Sequence, residues 1–266
     1  MESASSSSAS SSVSSTLTLS RLRLNSLRPE AQSDLADCQR MHSRLLSAFP
    51  DDAELDQARA YYGLLYRVEW APAGQSGEVI VLTQSRAEPD WSRLPSGYLV
   101  TPAEVKSLAA LYEQLREGMA LRFRLHANPT RRIRVRNQQE TEQWRGKRVN
   151  LRSAAEQLDW LSRKGEASGF TVLAAQTRRF QPPELRVPEF QLSELRLRSG
   201  ERRHPATHAV SVSGLRAGTG ALTFGSVVFD GQMRVTDLTR FRDALEMGIG
   251  TGKAYGFGLL SIAPGR

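Results

Sequence analysis

The amino-acid sequence predicts an α+β fold built from two βαββαβ units in tandem. Three observations carry this. The 266 residues suit two modest hydrophobic cores better than one large one. The second half alternates strand-like and helix-like segments in the order β-α-β-β-α-β, and the first half is a looser copy of that order. A repeated unit of this kind is the ferredoxin-like, or RRM-like, pattern.

Residues 1–16 hold ten serines and no apolar period, which predicts a disordered Ser-rich extension and not a signal peptide. The first unit is expected over 17–116. Leu17, Leu19, Arg21 and Arg23 alternate with Thr18, Ser20, Leu22 and Leu24 as in a strand. A helix follows, capped by Ser33 or Asp34, with Leu35, Cys38, Leu45, Leu46 and Phe49 within one arc, until Phe49-Pro50 ends it. Strands near 60–70 and 78–85 flank a turn containing Pro72, Gly74 and Gly77. From Glu88 to Gly118 a Pro-Asp-Trp turn gives way to helical spacing through Leu108, Leu111 and Leu115, so this stretch reads either way.

The second unit is expected over 117–266. It opens with a strand at 121–126, passes through a basic loop, and reaches a helix over 153–164 that Gly165 or Gly169 can stop. Strands at 170–176, 207–213 and 221–236, a helix over 238–247 and a last strand at 254–262 complete it.

A net charge of +8 and a pI near 10.1 favour a polyanionic partner. The excess is local. Residues 121–152 hold ten Arg or Lys, among them Arg131, Arg132, Lys147 and Arg148, against Glu140 and Glu142. Arginine predominates, and its planar fork binds phosphate and stacks on bases, which points to nucleic acid over a membrane surface. A second basic stretch, 178–203, contains Arg178, Arg179, Arg196 and Arg198 between prolines and fits a projecting hairpin or a surface insertion. No apolar run is long enough to span a bilayer, so no membrane partner is expected. Cys38, the single cysteine, excludes an internal disulfide and zinc sites built on paired cysteines, and a reducing cytoplasm is the expected location.

The segment from Gly248 to Gly258 is rich in glycine: Gly248, Gly250, Gly252, Gly256 and Gly258 surround Lys253. A P-loop would need Ser or Thr where Ala254 stands, and both P-loops and dinucleotide fingerprints join a strand to a helix, the reverse of the order here. Two readings remain: exposed amides of Gly250 and Gly252 beside Lys253 that let phosphate approach, or a tight turn with close strand packing. Gly256 and Gly258 are expected on one face of the last strand, open to another backbone.

His42 falls within the apolar arc of its helix, as a core histidine would, or stands at the end of that stripe where the two units meet. Arg40 and Arg44 lie on the opposite face, solvated or against phosphate. His204 and His208 have the spacing of a metal pair, but Pro205 interrupts any helix and no ligand set is completed, so no metal and no cofactor is expected. His126 is expected to be structural.

These pieces together resemble the CasE family, which processes CRISPR RNA in Cascade complexes. The resemblance runs from about Leu17 onward through Asp34-Leu35, Met41-His42, Phe49-Pro50, the segment from Phe123 to Pro129, Lys147-Arg148-Val149, Ala155-Glu156-Gln157, Trp160-Leu161, and Gly248-Ile249-Gly250 with Gly252-Lys253 and Gly256 through Pro264. It implies a tandem ferredoxin-like endoribonuclease that grips the hairpin of a CRISPR repeat RNA, cuts at the base of the stem without a metal, stays on its product, and works beside other Cascade subunits. The family histidine falls on His42. Family members commonly carry a tyrosine three residues earlier, where this chain has Gln39. A noncatalytic RNA-binding subunit is the alternative.

Overall fold

The computed structural model describes residues 17–51, 55–70, 78–132, 148–179 and 224–265. Two four-stranded antiparallel sheets dominate it. The first contains β1 (Thr18–Leu24), β2 (Leu65–Trp70), β3 (Val79–Ser85) and β4 (Glu104–Ser107) in the order β2-β3-β1-β4. The second contains β5 (Ala120–Ala127), β8 (Phe170–Arg179), β9 (Val227–Val235) and β10 (Leu260–Pro264) in the order β10-β5-β9-β8. Each sheet has its first strand beside its third and fourth, the strand order of a ferredoxin-like unit. The fold is two such units in tandem. A separate ribbon pairs β6 (Thr130–Arg132) with β7 (Arg148–Asn150).

Period-2 patterning decides which face of β1 is inside: Thr18, Ser20, Leu22 and Leu24 are buried and the arginines between them reach outward. The expected single helix is two. Pro29 starts α1 (Pro29–Ala36), and α2 (Cys38–Leu46) restarts after Asp37, whose carboxylate accepts from the Gln39 and Arg40 amides at 2.8 and 3.3 Å. Asp34 is therefore no cap. It is buried at 4% exposure, accepting from Arg44 Nε at 2.8 Å and the Tyr98 hydroxyl at 2.9 Å. A short α3 (Leu55–Tyr61) leads through Gly63 into β2.

Between β3 and β4 the first unit has a 3-10 turn at Trp91–Arg93 where the pattern leaves room for a helix. Pro89, Pro95 and Pro102 break helical hydrogen bonding there, and Trp91, Leu94 and Tyr98 fill the space a helix would cover. The helical spacing further on forms α4 (Ala109–Gln114), where Tyr112 and Leu115 pack against the second core.

The second unit follows its local signals closely. Ser153 and Glu156 form a reciprocal capping box for α5 (Ala154–Ala167), and Asp237 caps α6 (Leu238–Met247). The α5 helix runs through Gly165, where Phe170 lies too close for a side chain, and ends before Gly169, whose φ is +75°. The last strand begins at Leu260, later than expected, because Lys253–Tyr255 form a 3-10 turn and Gly256 and Gly258 adopt positive φ. The expected strand at 207–213 and the Ser-rich extension lie outside the described residues.

The cores are separate. Leu22, Met41, Leu45, Phe49, Tyr66 and Val81 anchor one, and Phe123, Trp160, Phe170, Phe229, Phe241 and Leu245 the other. Polar contacts join them: Gln84 Nε2 donates to the Leu245 carbonyl at 2.7 Å, Arg86 pairs with Glu246 at 2.5 Å, and Arg67 Nη1 donates to the Leu259 carbonyl at 3.3 Å. Arg67, only 3% exposed, also pairs with Glu69 at 2.7 Å; Glu69 lies 3.6 Å from Arg124, which pairs with Asp230 at 2.6 Å.

Candidate active site at the seam between the units

The α2 helix and the 3-10 turn at Lys253–Tyr255 come from opposite units and pack against one another. Tyr66 of β2 organises the contact. Its hydroxyl lies 3.2 Å from the Cys38 carbonyl at the start of α2 and 3.4 Å from the Ala254 carbonyl in the turn, so its proton can serve either. A Cβ on Gly256 would stand 3.0 Å from the Tyr66 ring at a φ of +84°, so only glycine lets the turn sit this close. Gly248, at φ +74°, ends α6 and meets Leu65 in the same way. The glycine run is thus first a device for close packing, and it brings Lys253 to the helix that carries His42.

His42 is 9% exposed, and its Nδ1 has no hydrogen-bond partner among the described residues. Burial, and secondarily the charge of Arg59, push its pKa down to about 4, so the imidazole is neutral at pH 7. Arg59, in the last turn of α3, is half-buried, and burial and the Arg86 charge lower its pKa. Lys253 is lowered by burial and then by Arg59 and Lys164. The Cys38 thiol, one turn before His42, is pushed up to about 11 mainly by burial and stays protonated. The site is a neutral base beside concentrated positive charge.

The histidine also makes a stability prediction. A histidine with a depressed folded pKa favours the unfolded state once the unfolded chain takes up the proton, so its contribution is complete above about pH 6.5 and is lost as pH falls towards 4. From these two values the loss between pH 7 and pH 5 is about 2 kcal/mol. Urea unfolding at both pH values should show this difference in the parent and a smaller one in His42→Ala; equal differences would mean that His42 does not titrate as described.

The other expected site residues fall into groups. Arg40 is exposed, with Nη1 donating to Ser33 Oγ at 2.6 Å. Arg44 is not the solvated cation its helical position suggests: Asp34 holds its Nε, and its guanidinium lies 5.5 Å from the Tyr98 ring centre. Arg131, Arg132 and Arg148 are exposed on the β6–β7 ribbon, and Arg132 stands directly opposite Arg148. Like charges placed so oppose pairing, a cost that a polyanion relieves. Gly250 and Gly252 both have positive φ and lie against Trp160 and Phe257 respectively, so packing explains them at least in part. Arg178 and Arg179 are in β8, described here by backbone alone; Lys147, Arg196, Arg198, His204 and His208 lie outside the described residues. His126 is buried, with Nε2 2.6 Å from Ser226 Oγ and its ring against Phe257, as a structural residue would be.

Sequence reasoning missed Arg59, Tyr66 and Phe224. Phe224 packs at a tilt against the rings of Tyr255 and Phe257 beside Gly252. Arg59 and Tyr66 act across the seam and Phe224 supports the turn from within its own unit, and no local spacing marks any of them. Among the described residues no three of His, Cys, Asp and Glu gather as a metal site would require, and no helix is long and apolar enough to cross a membrane.

Comparison with known proteins supplies the family. A family model described as CRISPR associated protein matches residues 17–264. The chain belongs to this CRISPR-associated family. Within it, the chain is 34% identical over 246 residues to the CRISPR-associated endoribonuclease Cse3 of Thermus thermophilus, covering 92% of this chain and 99% of that protein. The structure of Thermus thermophilus Cse3 bound to an RNA representing a pre-cleavage complex is similar over 94% of this chain and all of that one, with 30% identity and a TM-score of 0.64. Cas6e from Escherichia coli K-12 shares the fold at 24% identity and a TM-score of 0.57 over 93% of this chain and 99% of that one. The CasE and Cse designations cover this same family.

Proposed function

We propose that this protein is a metal-independent endoribonuclease that binds the stem-loop of a CRISPR repeat RNA, cuts the precursor at the base of the stem and remains on the mature product as part of a Cascade complex. The observation that carries the reading is His42, buried and neutral with an unpartnered nitrogen, within the field of Arg59 and on the helix against which the Lys253 turn of the other unit packs. Units of 17–116 and 117–266 would each supply one side of the cleft.

The substrate's own 2′-hydroxyl is the nucleophile. His42, neutral at rest, removes its proton as general base; the 2′-oxygen bonds to phosphorus, the bond from phosphorus to the 5′-oxygen breaks, and that oxygen leaves with a proton. Gln39 cannot supply that proton as a phenol would, and Lys253, made more acidic than an ordinary lysine and carried on the turn that packs on α2, is the candidate. Arg131, Arg132 and Arg148 are exposed to phosphates of the stem, as is Arg40, which would exchange Ser33 and Asp37 for them; Arg44, Lys147, Arg178, Arg179, Arg196 and Arg198, with the amides of Gly250 and Gly252, complete the proposed RNA contacts. No cofactor enters the mechanism.

Incubating the protein with labelled repeat hairpin in EDTA tests this. Products ending in 2′,3′-cyclic phosphate and 5′-hydroxyl are expected, with affinity falling by a factor of about a thousand or more between 50 and 200 mM salt if six or more phosphates are contacted. A 5′-phosphate end would assign the chemistry to an activated water, and binding with no cleavage would leave an RNA-binding subunit.

A further inference from the structure

Elsewhere along the seam, partly buried cations are neutralised: Arg86 by Glu246, Arg67 by Glu69 and Arg124 by Asp230. Arg59 and Lys253 are not. Both are half-buried, and neither makes an ion pair or side-chain hydrogen bond with any described residue. They come from different units that meet at α2: Ala58, the neighbour of Arg59 on α3, shares a core with Met41 and Leu45 of α2, the Lys253–Tyr255 turn packs on the same helix, and the charge of Arg59 reaches both His42 and Lys253. Two half-buried cations with no carboxylate partner among the described residues repel one another, a standing cost that a bound anion removes.

The anion can be identified by what surrounds it. His42, nine-tenths buried, leaves Nδ1 without a partner at the same place. A phosphodiester offers two nonbridging oxygens to two cations, and it gains a second negative charge as the 2′-oxygen attacks. The groups on the elements around α2 suit this. From α2 itself comes Cys38, a protonated thiol; from α1 comes Asp34, already engaged by Arg44 and Tyr98; from α3 comes Arg59; and from the packed turn come Lys253 and Tyr255. The one carboxylate in that set is occupied.

We propose that Arg59 is a phosphate-binding residue of the active site, closing with Lys253 on the two nonbridging oxygens of the linkage being cut and holding it against His42. This rests on the nuclease reading above. It adds a residue from α3, so the clamp has one jaw in each unit. Arg59 also acts on the histidine: its positive charge disfavours imidazolium and keeps the base ready.

Arg59→Gln and Arg59→Lys test it. In single-turnover assays in EDTA, Arg59→Gln is expected to cut about a hundredfold more slowly at pH 7, the loss typical of removing one donor from a developing oxyanion, with Arg59→Lys recovering a large part. Affinity for a hairpin with 2′-deoxyribose at the cleavage position should change by less than about threefold, since one of many phosphate contacts is lost. In the free protein, the His42 ring followed by NMR should titrate at a higher pH in Arg59→Gln than in the parent. Inorganic pyrophosphate should shift that resonance in the parent and not in the Arg59→Gln/Lys253→Met double variant.

An unchanged cleavage rate would overturn the proposal. So would equal losses of rate and affinity with an unmoved His42 titration, which would make Arg59 an outlying backbone contact. If the parent itself fails to cut, the nuclease reading falls, and the His42 titration and pyrophosphate response still decide the clamp. Should Arg59→Gln fail to fold, Arg59→Lys decides it: the charge is kept, so the His42 titration must stay near the parent's.

Discussion

Replacing His42 with alanine is expected to slow cleavage of a repeat hairpin by about a hundred- to ten-thousandfold while leaving its affinity within a few-fold, the range for loss of a general base. The two effects separate because the exposed cations that would hold the stem, Arg131, Arg132 and Arg148 on the ribbon and Arg40 on α2, do not depend on the imidazole. The residual rate would come from the orientation and charge that Arg59 and Lys253 still supply. Single-turnover cleavage and filter binding, each done in EDTA, read the two quantities. Equal cleavage by parent and variant would move the base elsewhere, and joint loss of cleavage and binding would make His42 a structural residue of α2.

A comparably large effect on stability is expected from Glu69→Ala. Arg67 is almost fully buried, and Glu69 is its carboxylate; removing one partner of such a pair strands a desolvated charge at a cost of about 3 kcal/mol, near 10 °C in melting temperature for a chain of this size. Burial already lowers the pKa of Arg67, with Glu69 the main opposing influence. The double variant Arg67→Met/Glu69→Leu should recover most of the loss, since it removes both charges and retains volume. Calorimetric melting of the parent and both variants measures this. If Glu69→Ala costs less than about 1 kcal/mol, Asp230 has taken over the pairing, for it also favours the charged form of Arg67.

How much of this could be read along the chain depended on how local the signal was. The helix over 238–247 and the start of α5 near Ser153 were legible along the chain. Asp37 was not, because the apolar arc continues across it and periodicity cannot register a carboxylate that turns back to cap the residues after it. The connection from β3 to β4 stayed open in another way: its Pro-Asp-Trp turn and the helical spacing after it read either way, and the need for Trp91, Leu94 and Tyr98 to cover the sheet exists only once the sheet is assembled. His42 came from family resemblance, and its amphipathic position favoured an ordinary core residue. Arg59 and Tyr66 carried no mark at all. Their significance arises from neighbours about two hundred positions away, where Ala254 meets Tyr66 and Lys253 faces Arg59.

That separation has a consequence for the timing of synthesis. The Tyr66 hydroxyl and the missing side chain of Gly256 seat the turn on α2, and the turn is translated about two hundred residues after His42. At about 5–20 residues per second, the histidine leaves the ribosome some ten to forty seconds before its lysine does. During that interval a nascent chain carries the base without the second jaw of the clamp and without the polar contacts that lock the units. Such a chain can fold its first core around Phe49 and Tyr66 with little capacity to cut the cellular RNA around it, and the site is assembled only after the Lys253 turn has been made.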